Sequence, residues 1–210
     1  MKTHWLPVVA LLLGARSLEA QRFGIGVDAT HLTLKEIAAS RQWSGLGFGV
    51  TAAAHVGPLA VELAAVRAGL EPARGDSSLS AFHYSSVDVR AAVPVYRSIA
   101  VEVGAGRHWP DPALAVQDVG YVRLGVRVAG SLDSRSQVWV RAAYLPIVRF
   151  SGGGRTGLSV ETAFGLTLGL GRHIALRADY LFQRMDRESG GQAWPTQVWT
   201  ARLGASVLAP

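Results

Sequence analysis

The sequence predicts an all-β chain: an antiparallel, up-and-down transmembrane β-barrel of about ten strands, with eight as the fallback. Three observations carry that expectation. Ten stretches alternate apolar and polar residues with period two. The links between them run short, long, short, long, as they do when tight turns gather on one rim of a barrel and longer loops on the other. After residue 20 no apolar run is long enough for a membrane helix, which needs about 20 residues. Any crossing must therefore be made by strands.

Residues 1–20 read as a cleavable secretory signal. Lys2 supplies the positive start, Trp5 to Ala15 a short apolar core, and Arg16 to Ala20 the approach to a cut before Gln21. That core is too short to anchor the chain in a bilayer. Residues 21–210 are then expected to form one barrel domain. The chain has 0 Cys, which excludes disulfides, thiolate metal sites and a lipidated cysteine.

Charge is unusual in kind. Lys and Arg number 21 against 15 Asp and Glu, a net charge of +6, yet Lys2 and Lys35 are the only lysines. A soluble surface is normally covered with Lys and Glu. The arginines are spread one or two per strand with no basic stripe, so nucleic acid is not an expected partner.

The strands are expected at 23–32, 43–56, 59–70, 82–96, 99–109, 118–130, 137–148, 157–170, 173–184 and 196–208. The second is the clearest. Leu46, Phe48, Val50, Ala52, Ala54 and Val56 share one face, while Gly45, Gly47, Gly49, Thr51 and His55 share the other. The eighth repeats the pattern, with Val160, Phe164, Leu166, Leu168 and Leu170 opposite Ser159, Glu161, Gly165, Thr167 and Gly169. Short links fall at Gly57-Pro58, Arg97-Ser98, Ser131 to Ser136 and Gly171-Arg172. Long ones fall at 33–42, 71–81, 110–117, 149–156 and 185–195. An even strand number puts both termini on the short-turn, periplasmic rim. About eleven tilted residues span roughly 28 Å, enough for a hydrocarbon core.

Aromatics mark the expected boundaries. Trp43, Phe82, Tyr84, Trp109, Tyr180, Phe182, Trp194 and Trp199 adjoin the long loops, and Phe23, Tyr96 and Trp139 the short-turn rim. Amphipathic rings collect where membrane meets water.

The polar face carries six acids (Asp28, Glu62, Asp88, Glu102, Glu161, Asp179) and six arginines (Arg90, Arg123, Arg127, Arg141, Arg177, Arg202). Each desolvated ion costs several kcal/mol unless paired, so this balance suits a packed interior network. Counting from the short-turn rim places Arg202 level with Asp179 and near Asp28, and Glu102 level with Arg127. Gly24, Gly26, Gly104, Gly106, Gly125 and Gly204 share this face and leave room for long neighbours. Arg67 and Arg107 break the pattern on the apolar face. With Trp109 they are expected to touch lipid at the outer rim, at one height, by snorkelling or by contact with lipid phosphates.

The signal, the alternation and the loop asymmetry together resemble small outer-membrane β-barrel proteins of Gram-negative bacteria, porin-like in outline. The last strand, Thr200 to Leu208, resembles their C-terminal assembly signal, although the chain lacks the terminal aromatic and ends at Pro210. The resemblance implies a cell outer-membrane location, outer-membrane lipid and the barrel-assembly machinery as partners, and a monomer. The expected role is structural, adhesive or as a narrow pore.

Two alternatives stand beside it. A soluble secreted barrel binding an apolar ligand would use the same alternation turned inside out. Phe82-His83-Tyr84-Ser85 is similar to the His-x-Ser motif of outer-membrane lipid A 3-O-deacylases, which would make Ser85 a nucleophile and His83 its base. Ser86 stands where that family has Asn, and His83 and Ser85 share the parity of Val87 and Val89. A non-enzyme is expected. His4, His31, His55, His108 and His173 are scattered singly, so no metal and no cofactor is expected. Gly152-Gly153-Gly154 precedes no helix and makes no phosphate loop.

Overall fold

The computed structural model describes residues 22–73, 79–110 and 117–209. The leader lies outside the described residues, as do parts of the links at 71–81 and 110–117.

Thirteen strands form: β1 Arg22–Glu36, β2 Arg41–Val56, β3 Leu59–Pro72, β4 Phe82–Tyr96, β5 Ile99–Pro110, β6 Val119–Ser131, β7 Ser136–Phe150, β8 Arg155–Thr156, β9 Val160–Gly169, β10 Ile174–Met185, β11 Arg187–Ser189, β12 Gln192–Ala193 and β13 Thr196–Ala209. Ten of them close into one antiparallel barrel in the order β1-β13-β10-β9-β7-β6-β5-β4-β3-β2. Every neighbour in that barrel is the next barrel strand along the chain, and β1 pairs with β13 from Phe23↔Ala209 to Glu36↔Thr196. The barrel thus has ten strands and not the eight of the fallback. The remaining three strands, β8, β11 and β12, form a small sheet at the long-loop rim.

Turn chemistry accounts for the short links. Gly57 and Gly171 take positive φ values of 58° and 112°, which glycine adopts without steric cost. In the β6–β7 turn the Asp133 carboxylate accepts from the Arg135 and Ser136 backbone N–H groups at 2.6 and 2.7 Å. Phe23 sits opposite both Ala209 and Ala54, so the strand ends nearest the termini lie beside the Gly57-Pro58 turn.

Pro146 lies within β7 where the register with β6 shifts between Val122 and Leu124. A proline cannot donate to the ladder and is confined to edges and bulges. Here the bulge turns Leu145 and Val148 both into the barrel, leaving Pro146 and Ile147 outside.

The outward face is apolar around the middle of the barrel. Val27, Phe48, Leu63, Val89, Val103, Val126, Val140, Phe164, Leu176 and Leu203, one from each barrel strand, are all exposed. A monomer in water rarely exposes a continuous belt of that kind.

Toward the long loops the polarity reverses. His31, Thr33, Lys35 and Gln42 face outward, while Leu32, Leu34 and Trp43 point in and are buried. Trp43, Phe82, Tyr84, Leu70, Val119, Tyr121, Leu145, Val148, Met185 and Val198 fill the lumen there as one cluster. Trp43 and Phe82 meet edge to face at 5.5 Å. This corrects the expected aromatic belt: Trp43, Phe82 and Tyr84 do not face the membrane boundary but close the barrel from within. Trp139 is likewise inside, 4% exposed. Phe182 and Trp199 do face outward, ring against ring at 5.6 Å.

Candidate functional site

All twelve charged residues singled out on the polar face carry the inward parity of their strands. They fall into two tiers below the apolar cluster.

The upper tier is almost fully buried. Arg123 donates to Glu161 at 2.8 Å, with side-chain exposures of 1% and 0%. It also contacts Asp88 closely and donates to the Tyr121 hydroxyl at 3.0 Å. Tyr121 donates to Asp88 at 3.0 Å. Gln183 donates to Glu161 at 2.7 Å and to Tyr121 at 3.2 Å. The His108 ring lies 3.2 Å from the same hydroxyl. Arg90 bridges downward, from Asp88 at 2.7 Å to Glu62 at 3.2 Å.

The lower tier opens toward the short turns. Arg177 pairs with Glu62 at 3.2 Å and Asp179 at 2.8 Å. Arg202 donates to Asp179 at 2.7 Å, its direct partner across β10 and β13. Asp28 accepts from Thr30 at 2.8 Å. It lies opposite Gly204 on β13, two residues from Arg202.

Arg141 reaches Glu102 at 3.5 Å and Glu161 at 3.9 Å. Arg127, expected level with Glu102, is not. Glu102 lies opposite Gly125, and Arg127 opposite Ala100. Neighbouring strands of a closed barrel are staggered by its shear, so equal counts from the rim do not give equal height. Arg127 instead lies opposite Arg141. Both guanidiniums lie over the Trp139 ring, at 5.2 and 5.0 Å, and Arg177 joins them at 5.6 Å. Trp139 fits because its partner across β7 and β9 is Gly165.

Cavities shrink along the axis. One of about 220 Å³ lies among Trp139, Arg127, Arg141, Arg177, His55 and Ser206. Beside it is one of about 80 Å³ lined by Asp28, Asp179 and Arg202. Beyond Arg90 and Arg202 the void falls to about 30 Å³. Among Leu34, Val119, Met185 and Val198 it falls to about 10 Å³. A water needs roughly 10–15 Å³ of such space and polar partners, so the described lumen tapers to a dry end.

On the outer surface Arg107 donates to Asp118 at 2.8 and 3.2 Å. It also stacks over Trp109 at 5.2 Å. These hydrogen bonds hold the Asp118 carboxyl below its usual range. Arg67 is exposed on the same face, opposite Ser85. On β4, Arg107 lies opposite Val87, so the two arginines differ in height by two residues, again through the stagger. His83 and Ser85 also face outward, whereas Glu102 and Asp88 face the lumen. No hydrogen bond joins His83 to Ser85 among the described residues.

Tyr121, His108, Gln183 and Trp139 complete this site and were missed among the sequence candidates. Their parity could have found them: each sits an even number of residues from an inward charge on its own strand.

Comparison with known proteins supports the same fold. The outer-membrane protease OmpT from Escherichia coli superposes with a TM-score of 0.55 at 8% identity, over 93% of this chain and 99% of that one. An outer-membrane channel from Pseudomonas putida F1 gives 0.52 at 9% identity, over 92% and 97%. Neisserial surface protein A is covered over 99% of its length and 90% of this chain, with a TM-score of 0.47 and 12% identity. No family model matches the chain, and no curated protein matches its sequence. The fold is that of bacterial outer-membrane β-barrels, and the likeness extends to fold alone.

Proposed function

We propose that this chain is an integral outer-membrane barrel closed to solutes, a stable base that holds its long-loop rim outward as a contact surface. The observation that carries this is the sequence of two closures in series: the Arg123–Glu161 tier and the apolar cluster beyond it. The exposed apolar belt supports the membrane setting. It disfavours the soluble barrel, whose outer face would be polar throughout.

The loop rim is itself organised. Arg187 donates to the Gly152 and Gly153 carbonyls at 2.7 Å each, tying two long links into the β8/β11/β12 sheet. A tied platform loses less entropy on meeting a partner than free loops do. Export by the leader, folding by the barrel-assembly machinery, a monomeric state and lipid contact at Arg67, Arg107 and Trp109 belong to the same reading.

The test is solute retention. Liposomes carrying the folded mature chain and loaded with small sugars are expected to hold them as well as protein-free liposomes. Sustained efflux that depends on solute size would overturn the proposal in favour of a narrow pore.

A further inference from the structure

One arginine of the tier around Trp139 lacks the carboxylate partner that its neighbours have. The 220 Å³ cavity is lined by Arg90, Arg127, Arg141 and Arg177 but only by Glu62 and Glu102. Arg90 and Arg177 also have carboxylate partners outside the cavity, Asp88 at 2.7 Å and Asp179 at 2.8 Å. Glu62 is already divided between Arg90 and Arg177, at 3.2 Å each, and Glu102 serves Arg141.

Arg127 has no carboxylate within ion-pair distance among the described residues, and its Nε is buried with no hydrogen-bond partner. Directly across the strand pair stands Arg141. Like charges set opposite each other repel, and stacking on one indole relieves only part of that. The place is wet: Arg177 and Glu62 side chains keep 24% and 25% exposure. Water and small solutes can therefore reach it from the short-turn end.

We infer that this vestibule binds a small oxyanion of the phosphate class, with the Arg127 fork as the decisive donor and Arg141 beside it. Guanidinium forks match phosphate oxygens two at a time. An oxyanion there would give Arg127 the acceptor it lacks and screen it from Arg141. The cavity has room for a small polyatomic ion and not for a nucleotide or an oligosaccharide. A free ion and a phospholipid headgroup offer the same chemistry. The inference is independent of whether the lumen conducts.

The experiment uses the folded mature barrel in a neutral, phosphate-free detergent. Inorganic phosphate is titrated against chloride at constant ionic strength, read by calorimetry and by tryptophan fluorescence. Saturable binding of phosphate over chloride is expected, with Trp139→Phe removing the fluorescence change. Arg127→Gln should weaken binding by about tenfold or more, the scale of a lost charge-assisted hydrogen bond. Arg127→Lys, which keeps the charge and loses the fork, should fall between. Circular dichroism and gel mobility show that each variant is folded.

A second arm repeats the titration in vesicles containing phosphatidylglycerol. Weaker phosphate binding there means that lipid headgroups occupy this site. Unchanged binding means that the free ion does. Equal affinity in the parent and Arg127→Gln, or no saturation at all, overturns the inference.

Discussion

Arg123 reaches across the lumen from β6 to Glu161 on β9 at 2.8 Å, and neither side chain is more than 1% exposed. A pair this deep adds little net attraction, because desolvating two ions offsets their Coulomb gain. Its consequence appears when one partner is lost. Glu161→Ala takes from the buried guanidinium one of its two carboxylates and leaves Asp88, and the expected cost is about 1.5–3 kcal/mol, the scale of a hydrogen bond to a charged group. Urea unfolding in detergent measures it. The double variant Arg123→Ala/Glu161→Ala should lose clearly less than the sum of the singles; additive losses would mean that the pair is not coupled.

Gly165 is expected to tolerate no side chain. A Cβ there would stand 2.5 Å from Trp139 Cζ2 and 2.9 Å from Asp179 Cβ. Gly165→Ala should displace the indole and loosen the three guanidiniums stacked on it. Forced overpacking costs about 1–3 kcal/mol. A shifted tryptophan emission together with a lower unfolding midpoint is the expected signature. Unchanged emission would show that the ring is not held against β9.

The Asp133 turn gives a pH dependence. Backbone donation from Arg135, with help from Ser136, holds its carboxyl below the usual range. A depressed folded-state value means the stabilisation is present above the unfolded value, about 3.9, and is lost as pH falls through the folded one. Asp133→Asn should therefore lower the unfolding midpoint at neutral pH, and its difference from the parent should shrink below about pH 3.9. A difference that persists in acid would point to a neutral hydrogen-bonding role instead.

The two closures should act in series. Leu70→Ser with Val198→Ser wets the outer cluster, at about 1.5–3 kcal/mol for each buried side chain. The variant is expected to be less stable yet still to pass no ions, because the Arg123–Glu161 tier remains. Current steps in this variant would mean that the apolar cluster alone closes the barrel.

Much of the fold was legible because alternation has a period of two and the mid-barrel faces are consistent. Phe48, Val50 and Ala52 against Gly47, Gly49 and Thr51 placed β2 to within two residues at its start. The errors cluster where that consistency ends. The pattern ends β1 at residue 32, but the strand continues to Glu36, since Leu34 still points inward while Thr33 and Lys35 face out. The same reversal explains why a rule based on strand ends assigns Trp43, Phe82 and Tyr84 to the membrane boundary although they keep the parity of Gly45, Ser86 and Asp88, which faces in.

Within the site, sign and face could be read from sequence but height could not. Counting from the rim sets Arg202 level with Asp179, and they are direct partners. The same count sets Glu102 level with Arg127, yet they are offset, because the shear between β5 and β6 is a property of the closed barrel. The β8/β11/β12 sheet left no pattern either. Its strands are two or three residues long and pair only once distant links have met.

The most direct measurement of the central claim is single-channel recording of the folded mature chain in a planar bilayer, with insertion verified by protease protection. Two closures in series require a flat baseline at every voltage the bilayer withstands. Reproducible unitary steps from verified insertions would contradict the account and reveal a continuous water path past Arg123 and Glu161.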